Sequence, residues 1–455
     1  MNPVKVTKLA EVLGTVCHNP GTITSLCTDS REAVPGSLFV AIPGERVDGH
    51  SYVGKALELG ATAALVQRPG DYPADRTLLV EDTVKALLRF AAWYRTTLTP
   101  QLIAVTGSVG KTTTKEMIAA VVSAGFRTVK TIGNQNNEIG APRTLLSMDS
   151  STQAAVLELG MSGFGEIRAL AQAARPQIGV ITNIGVSHLE HLGSRENILK
   201  AKLELADCLP DGAPLFLCAD NDLLEQVSIP RLSVLYYGID SPKATLRGTI
   251  TGGDAQHTDF IIAWQGGQYP AAIPGTGRHL VLNALAAFGV GVTLGMTPQA
   301  AVAALGDYQP SGMRQHVVNT SSGITVVEDC YNASPDSVAA ALRTLGEFPC
   351  KGKRYAVLSD MLELGDATEQ GHVSSGKLAA ASGVDGLFVW GDHAALYAQG
   401  ALAGGMTDVN ILPNKQQLVT QLAQRLCPGD VVWFKASHSM KLEEAVEQLY
   451  EKINP

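Results

Sequence analysis

Nowhere does this chain carry a run of roughly 18 uncharged apolar residues, the length needed to cross a bilayer, so a membrane span is not expected. The amino end also lacks the unbroken apolar core of a secretory leader, because Lys5 and Lys8 interrupt the apolar residues of Met1 to Gly14. Internal repeats, low-complexity tracts and long runs of like charge are missing too, which leaves an ordinary globular composition. Cysteine is sparse and scattered: Cys17, Cys27, Cys208, Cys218, Cys330, Cys350 and Cys427, with no Cys-x-x-Cys pair. An odd number without paired spacing argues against a disulfide framework or zinc site and for buried free thiols in a reducing cytoplasm. Basic residues are not in excess. Lysine and arginine number 35 against 43 aspartates and glutamates, a formal net charge of −8, which speaks against a general nucleic-acid binder. Small anionic ligands stay open, since a few local cations hold those.

What is present is a 455-residue chain, 45% hydrophobic and 17% charged, too long for a single core and sized for two to four domains. Three blocks separate by pattern: residues 1–98, 99–311 and 312–455. In the first, Leu38 to Ile42 and Ala63 to Val66 read as strands, and Tyr52 to Leu59 and Val84 to Thr96 as helices. The second alternates strand and helix through Leu102 to Val105, Ala154 to Leu159 and Ile178 to Thr182. That alternation predicts a mainly parallel sheet with helices on both faces. Between about 213 and 273 strands and turns take over and predict an antiparallel extension, followed by a helix over His279 to Leu294. The third block, with strands over Ile324 to Val327, Tyr355 to Leu358, Leu387 to Trp390 and Val431 to Phe434, predicts a smaller doubly wound unit. The fold class is α/β, in three domains.

One stretch carries more chemistry than any other: Thr106-Gly107-Ser108-Val109-Gly110-Lys111-Thr112-Thr113-Thr114, between the apolar strand ending at Val105 and a helix read over Lys115 to Ala124. Strand, glycine turn, lysine, hydroxyl and helix make a phosphate cradle, in which backbone N–H groups and a helix N-terminus converge on phosphate oxygens. Lys111 neutralises the outer phosphates and the Thr112 hydroxyl ligates magnesium. The loop is the tighter form, because Val105 stands where the longer form opens with glycine. These residues predict ATP binding.

Other residues sit where such a ligand would lie. Glu158 ends its strand beside the loop, placed to hold the nucleotide's magnesium, although a strand-end glutamate can also be mere surface. His188 follows the next strand, after Asn183. Lys202 falls on an apolar stripe with Ile198, Leu205 and Leu209, on a helix that Ser194 would cap. A lysine held inward has a depressed pKa, and its neutral amine can add carbon dioxide to become a metal-ligating carbamate; a stem snorkelling to solvent is the competing reading. Gly133 to Gly140 is dense in amides, among them Asn136 and Asn137, which suit either sugar and peptide recognition or turns. In the third block, Glu328 to Pro335 ends a strand and starts a helix that Ser334 would cap, and Asp360 to Gly365 ends the next strand.

Taken together, this set resembles the Mur ligase family along essentially the whole chain. Thr-Gly-Ser-x-Gly-Lys-Thr-Thr, the strand-end glutamate, Asn183-x-x-x-x-His188, Ala201-Lys202-Leu203-Glu204 and His279-x-x-x-Asn283-x-x-Ala286-Ala287 stand in that family's order. Asn136 to Gly140, Asp329 to Pro335 and Asp360 to Gly365 resemble its branch that adds D-alanyl-D-alanine. Thr28 to Arg31 and Asp48 to His50 look like its UDP-sugar-binding domain.

The resemblance implies a P-loop central domain flanked by a small α/β N-terminal domain and a Rossmann-like C-terminal domain that binds the dipeptide and closes on ATP. It implies an ATP-dependent ligase of peptidoglycan precursor synthesis, cytoplasmic and monomeric. Its substrates would be UDP-N-acetylmuramoyl tripeptide and D-alanyl-D-alanine, joined through an acyl phosphate. By the same analogy Gly107, Ser108, Gly110, Lys111, Thr112 and Thr113 hold the phosphates, and Thr112 and Glu158 a first Mg2+. His188 and carbamylated Lys202 support a second. Asn283 meets the base, Arg314 the γ-phosphate and Asp329 the ribose, while Ser30, Arg31, Asn136, Asn137 and Asn332 contact the substrates. Two departures stand out. Ser334 replaces an asparagine in Asp-x-Tyr-Asn-Ala-Asn-Pro, and Lys435-Ala436-Ser437-His438 lacks the arginine of the family's Lys-Gly-Ser-Arg. The sibling that adds diaminopimelate commonly carries Asp-Asn-Pro-Arg, which is not found here. A sibling ligase, a folylpolyglutamate synthase and a nucleotide-switch ATPase are the other readings, the last leaving an inward Lys202 without a purpose.

Overall fold

The computed structural model describes residues 1–44, 47–310 and 312–453; Ser311, the expected end of the second block, lies outside them, as do the final two residues of the third. A nine-stranded sheet forms the middle. In spatial order its strands are Gly267–Pro274, His257–Trp264, Leu246–Gly253, Ser233–Gly238, Pro214–Cys218, Ile178–Ile181, Gln101–Thr106, Ala154–Glu158 and Thr128–Lys130. Neighbours are parallel from Thr128–Lys130 as far as Leu246–Gly253, and the last two strands join by antiparallel pairing. The antiparallel extension therefore starts later than the turn-rich pattern suggests. Leu102, Ile103, Ala104 and Val105 are all fully buried, as a central parallel strand covered on both faces requires. The phosphate-loop helix runs Lys111–Ser123, four residues earlier than its apolar periodicity shows. Gly110, at φ 82°, turns the chain straight into it, and the polar start Lys111 to Thr114 hides that turn from a hydrophobic pattern.

A six-stranded C-terminal sheet follows the order His316–Asn319, Thr325–Asp329, Val431–Lys435, Arg354–Ser359, Gly386–Trp390, Val409–Leu412, parallel except for its first pair. The N-terminal block holds four parallel strands, Ser25–Cys27, Ser37–Val40, Ala63–Val66 and Thr77–Leu79. The helix expected over Tyr52 to Leu59 is divided into a tight turn, Gly49–Tyr52, and a short helix, Val53–Glu58.

The first and second blocks share one hydrophobic core. Its bridge is the helix Thr83–Arg95, capped by Asp82 through Val84 N–H and Lys85 N–H at 2.9 Å, which packs on Gly140–Ser147 and Glu166–Ala174. Arg95, buried at its end, donates to the carbonyls of Ala174, Leu98 and Pro100, so packing continues across the boundary between the first two blocks at residues 98 and 99. No helix among the described residues is long and apolar enough to cross a membrane. All seven cysteines are free, but not all are buried: Cys208 and Cys350 are half-buried, and Cys427 is exposed in the turn before Val431–Lys435.

Candidate active site

Three neighbouring strands of the central sheet, Ile178–Ile181, Gln101–Thr106 and Ala154–Glu158, deliver their carboxyl ends to one crevice. The chain crosses from one side of the central strand to the other there, the place where open α/β sheets bind ligands. Gly107 has φ 151°, and a Cβ on it would lie 1.9 Å from Thr182 Oγ1; only glycine fits. The loop is tied down from the next strand end. Asn183 Oδ1 accepts from Val109 N–H at 2.8 Å, Thr182 Oγ1 donates to the Val109 carbonyl at 2.6 Å, and Ser108 Oγ accepts from Gly185 N–H at 2.9 Å. Lys111 folds back over the loop, its Nζ donating to the carbonyls of Gly107 (2.9 Å) and Ser108 (3.1 Å). Thr112 is buried at the helix start, with Thr113 next to it. Thr114 Oγ1 donates to Asn283 Oδ1 at 2.9 Å, which brings Asn283 against the first turn of the phosphate-loop helix.

Glu158 is 1% exposed. Its Oε1 accepts from Asn136 Nδ2 at 2.7 Å, while Oε2 has no hydrogen-bond partner and lies 3.8 Å from Lys115 Nζ. A buried carboxylate oxygen left without a donor costs free energy unless a cation arrives. Lys202 presents the complementary oddity. It is 1% exposed on Arg195–Asp207, whose N-cap Ser194 accepts from Asn197 N–H. Its amine has no hydrogen bond and no carboxylate within 4 Å among the described residues. Burial, with the like charge of Lys111 adding, pushes its pKa well below the lysine range. Burial also lowers Lys111, opposed by Glu158 and reinforced by Arg314. The inward reading of Lys202 therefore holds over snorkelling. Lys111, Lys202 and Arg314 are thus within electrostatic reach of the loop with Glu158, and Lys115 is taken up by Glu116 and Glu158, an excess of positive charge suited to a polyanion.

The third domain supplies the opposite wall. Its strands Thr325–Asp329, Val431–Lys435 and Arg354–Ser359 are neighbours, and residues that follow their carboxyl ends reach the central domain, Asp336 at Val186 and Glu363 at His188. Asp329 is held by Lys435 Nζ at 2.8 Å, and the same amine donates to the Asn332 carbonyl at 3.0 Å. Asn332 itself is exposed. The Arg314 guanidinium lies 3.9 Å above the Tyr331 ring, and His438 stacks on that ring at 5.7 Å between centroids. Ser334 caps Pro335–Glu347 in a reciprocal box with Ser337. From this helix Asp336 reaches across to accept from Val186 N–H at 3.3 Å; burial raises its pKa. His188 Nδ1 lies 3.1 Å from Glu363 Oε2.

The structure thus gathers Gly107, Ser108, Gly110, Lys111, Thr112, Glu158, Asn136, Lys202 and Asn283 around one loop, and sets Arg314, Asp329 and Asn332 on the facing domain. Asn137 is placed differently: its Oδ1 caps Gly140–Ser147 through Ile139 and Gly140 N–H. Ser30 and Arg31 lie on the seam between the first two domains, flanked by Thr28 and Glu32, which both touch Arg143 of that helix. Arg31 is itself paired with Asp29. Asp48 and His50 brace each other, Nδ1 to Oδ1 at 2.8 Å, with His50 Nε2 accepting from Gln67 N–H. Asp360 accepts from the Asp392 and His393 N–H groups within its own domain.

Sequence reasoning passed over Lys115, fully buried one turn beyond Lys111. It binds the carbonyls of Thr131 (2.7 Å) and Gly133 (3.1 Å) and lies 2.9 Å from Glu116 Oε1. Its position beside the inward Met117 and Ile118 is the signal that pointed to Lys202 and went unused here. Tyr331, Asp336 and Glu363 carried no individual signal.

Magnesium fits this donor set. No group of three His, Cys, Asp or Glu gathers among the described residues, so a protein-only cage is not what they form. One unpartnered carboxylate oxygen beside a phosphate loop is the usual holder of a phosphate-bound Mg2+.

Family models match in three stretches: "Mur ligase family, catalytic domain" over residues 22–95, "Mur ligase middle domain" over 105–291, and "Mur ligase, glutamate ligase domain" over 313–438. The chain is 38% identical over 460 residues to the Bacillus subtilis UDP-N-acetylmuramoyl-tripeptide–D-alanyl-D-alanine ligase, covering 98% of each chain. A crystal structure of MurF from Acinetobacter baumannii superposes with a TM-score of 0.91 at 28% identity over 99% of both chains. MurF ligase from Thermotoga maritima, solved in complex with ADP, gives 0.85 at 28% identity over 94% of this chain and 97% of that one.

Proposed function

Because the chain belongs to the Mur ligase family, we propose that it is the ATP-dependent ligase that joins D-alanyl-D-alanine to UDP-N-acetylmuramoyl tripeptide in peptidoglycan synthesis. The terminal carboxylate of the tripeptide attacks the γ-phosphorus of ATP and ADP departs, leaving an acyl phosphate. The dipeptide's amine, once deprotonated, adds to that carbonyl, and the tetrahedral adduct expels inorganic phosphate as the amide forms. Each step presses anions together, so fixed positive charge is what the protein must supply.

Lys111 and the N–H groups of the loop 107–113 hold the β- and γ-phosphates. Thr112 and Glu158 would hold one magnesium ion, and His188 with Lys202, carbamylated, a second; bound there, the metal would supply Lewis-acid charge to the phosphoryl and carboxylate oxygens. Lys202 suits that modification because its amine makes no hydrogen bond and burial, with the like charge of Lys111, favours its neutral form relative to an exposed lysine. Asn283, against the first turn of the phosphate-loop helix, would contact the base, and Arg314, stacked on Tyr331, would bring the third domain's charge toward the γ-phosphate. Asp329 orients the ribose while Lys435 holds its carboxylate. Asn136 ties the amide loop to Glu158, and Asn332 faces the incoming dipeptide. Ser30 and Arg31 lie on the first domain's side of the uridine sugar substrate. Use of ATP and scattered free thiols fit the cytoplasm.

The observation that carries this reading is Lys202, a buried amine without a partner beside a phosphate loop, which a nucleotide switch gives no use. Phosphate release tests it. Release only when UDP-tripeptide and D-alanyl-D-alanine are both present is the expected result; steady ATP hydrolysis without either would favour a switch. Pairing lysine- and diaminopimelate-containing tripeptides in the same assay identifies the preferred third residue.

A further inference from the structure

His188 and Glu363 meet across the boundary between the central and C-terminal domains, and both stand in an uncommon backbone conformation. Their φ angles are 63° and 64°, two of the six positive values found at non-glycine residues among the described residues. Such strain persists where the surroundings over-determine it and clusters at functional sites. The surroundings here do so. Gly365 seats so closely on the His188 turn that a Cβ would come within 3.1 Å of Glu190 Cα. Behind Glu363, Met361 N–H donates to His372 Nε2 at 3.1 Å and Leu362 N–H to Ser437 Oγ at 3.2 Å, which fasten the loop to its own domain. Asp336 adds a second crossing at Val186.

The contact uses one ring nitrogen. Glu363 Oε2 lies 3.1 Å from His188 Nδ1, and Nε2 has no partner among the described residues. A carboxylate at Nδ1 holds the proton there and leaves the Nε2 lone pair outward, the tautomer a metal-ligating histidine needs. We infer that Glu363 is a positioning residue that fixes the Nδ1–H tautomer of His188 from across the domain boundary. This rests on the reading of His188 as a metal-side ligand given above. His191 is also within electrostatic reach of Glu363 but makes no bond to it, and serves as the control.

The Glu363 side chain is 62% exposed, so its truncation spares the fold. On the full chain, nitrogen-15 histidine NMR reads the tautomer directly, and Mn2+ titration followed by electron paramagnetic resonance, with a non-hydrolysable ATP analogue bound, reads metal affinity. Glu363→Ala is expected to lose the Nδ1–H signature and to weaken Mn2+ binding about 10–100-fold. Glu363→Gln, whose amide oxygen still accepts, keeps the tautomer, and His191→Ala changes neither. An unchanged tautomer and Mn2+ affinity in Glu363→Ala, with weakened binding in His188→Ala, overturns the inference alone. Unchanged Mn2+ binding in His188→Ala as well overturns the reading beneath it.

Discussion

At the carboxyl ends of the central sheet Glu158 keeps a buried oxygen without a hydrogen bond, 3.8 Å from the Lys115 ammonium, and Lys202, a buried residue, has no carboxylate beside it. At the same ends of the C-terminal sheet Asp329 is neutralised by Lys435, and Asp360 is saturated by two backbone N–H groups. Both clefts come from the same architecture, parallel strands with crossover helices. They differ in where the charges are satisfied. The central cleft tolerates unsatisfied groups, whose cost ligands offset, while the C-terminal cleft pairs its own and serves as a rigid wall. Unpaired buried charge thus marks where chemistry happens better than sheet topology does.

The contrast can be broken at several points. Lys111→Ala should lower kcat/KM by roughly 10³-fold or more, since phosphoryl transfer rests on positioned charge. UDP-substrate affinity measured by calorimetry should stay near that of the wild type, and an equal loss of both would mean the two ligands share one domain. Lys202→Ala should cost about 10²–10³-fold with partial rescue by a small carboxylic acid. Near-normal turnover there would remove the carbamate proposal.

Stability should respond in the opposite sense. Asp329→Asn strands the Lys435 ammonium, which is 3% exposed, and should cost about 3 kcal/mol in urea denaturation. Glu158→Gln removes a charge that no hydrogen bond satisfies at Oε2 and whose one cation within 4 Å, Lys115, keeps Glu116 at 2.9 Å, so it should lower the midpoint by less than Asp329→Asn does while activity falls. If Glu158→Gln proves the more destabilising of the two, the contrast is wrong.

The smallest effect concerns His372, fully buried behind the 361–368 loop. Burial lowers its pKa; His393 adds to the shift, while its bond to the Thr368 carbonyl and Asp360 oppose it. The folded chain keeps this ring neutral while the unfolded chain takes up a proton near the ordinary value of about 6.5. Its stability contribution is therefore complete above that pH and is lost as pH falls toward the depressed folded value. His372→Gln should flatten the acid-side slope of the urea midpoint, and an identical slope would show that another group sets it.

The chain alone determined its phosphate loop, its succession of strands and helices, the caps at Ser194 and Ser334 and the inward face of Lys202, because each depends on neighbours within a turn or two. Helix starts written in polar residues, such as Lys111 to Thr114, escaped, since no apolar period announces them. Asn137 capping Gly140–Ser147 is also local, but an amide-rich stretch reads equally as turn or ligand contact, so the sequence left it open. Tertiary structure alone decided that Lys115 ties the amide loop to the phosphate-loop helix and that Glu363 meets His188. Those two pairings span sequence distances over which periodicity carries no information: packing of the phosphate-loop helix on its own sheet brings Lys115 to Thr131 and Gly133, and docking of the C-terminal domain on the central one brings Glu363 to His188.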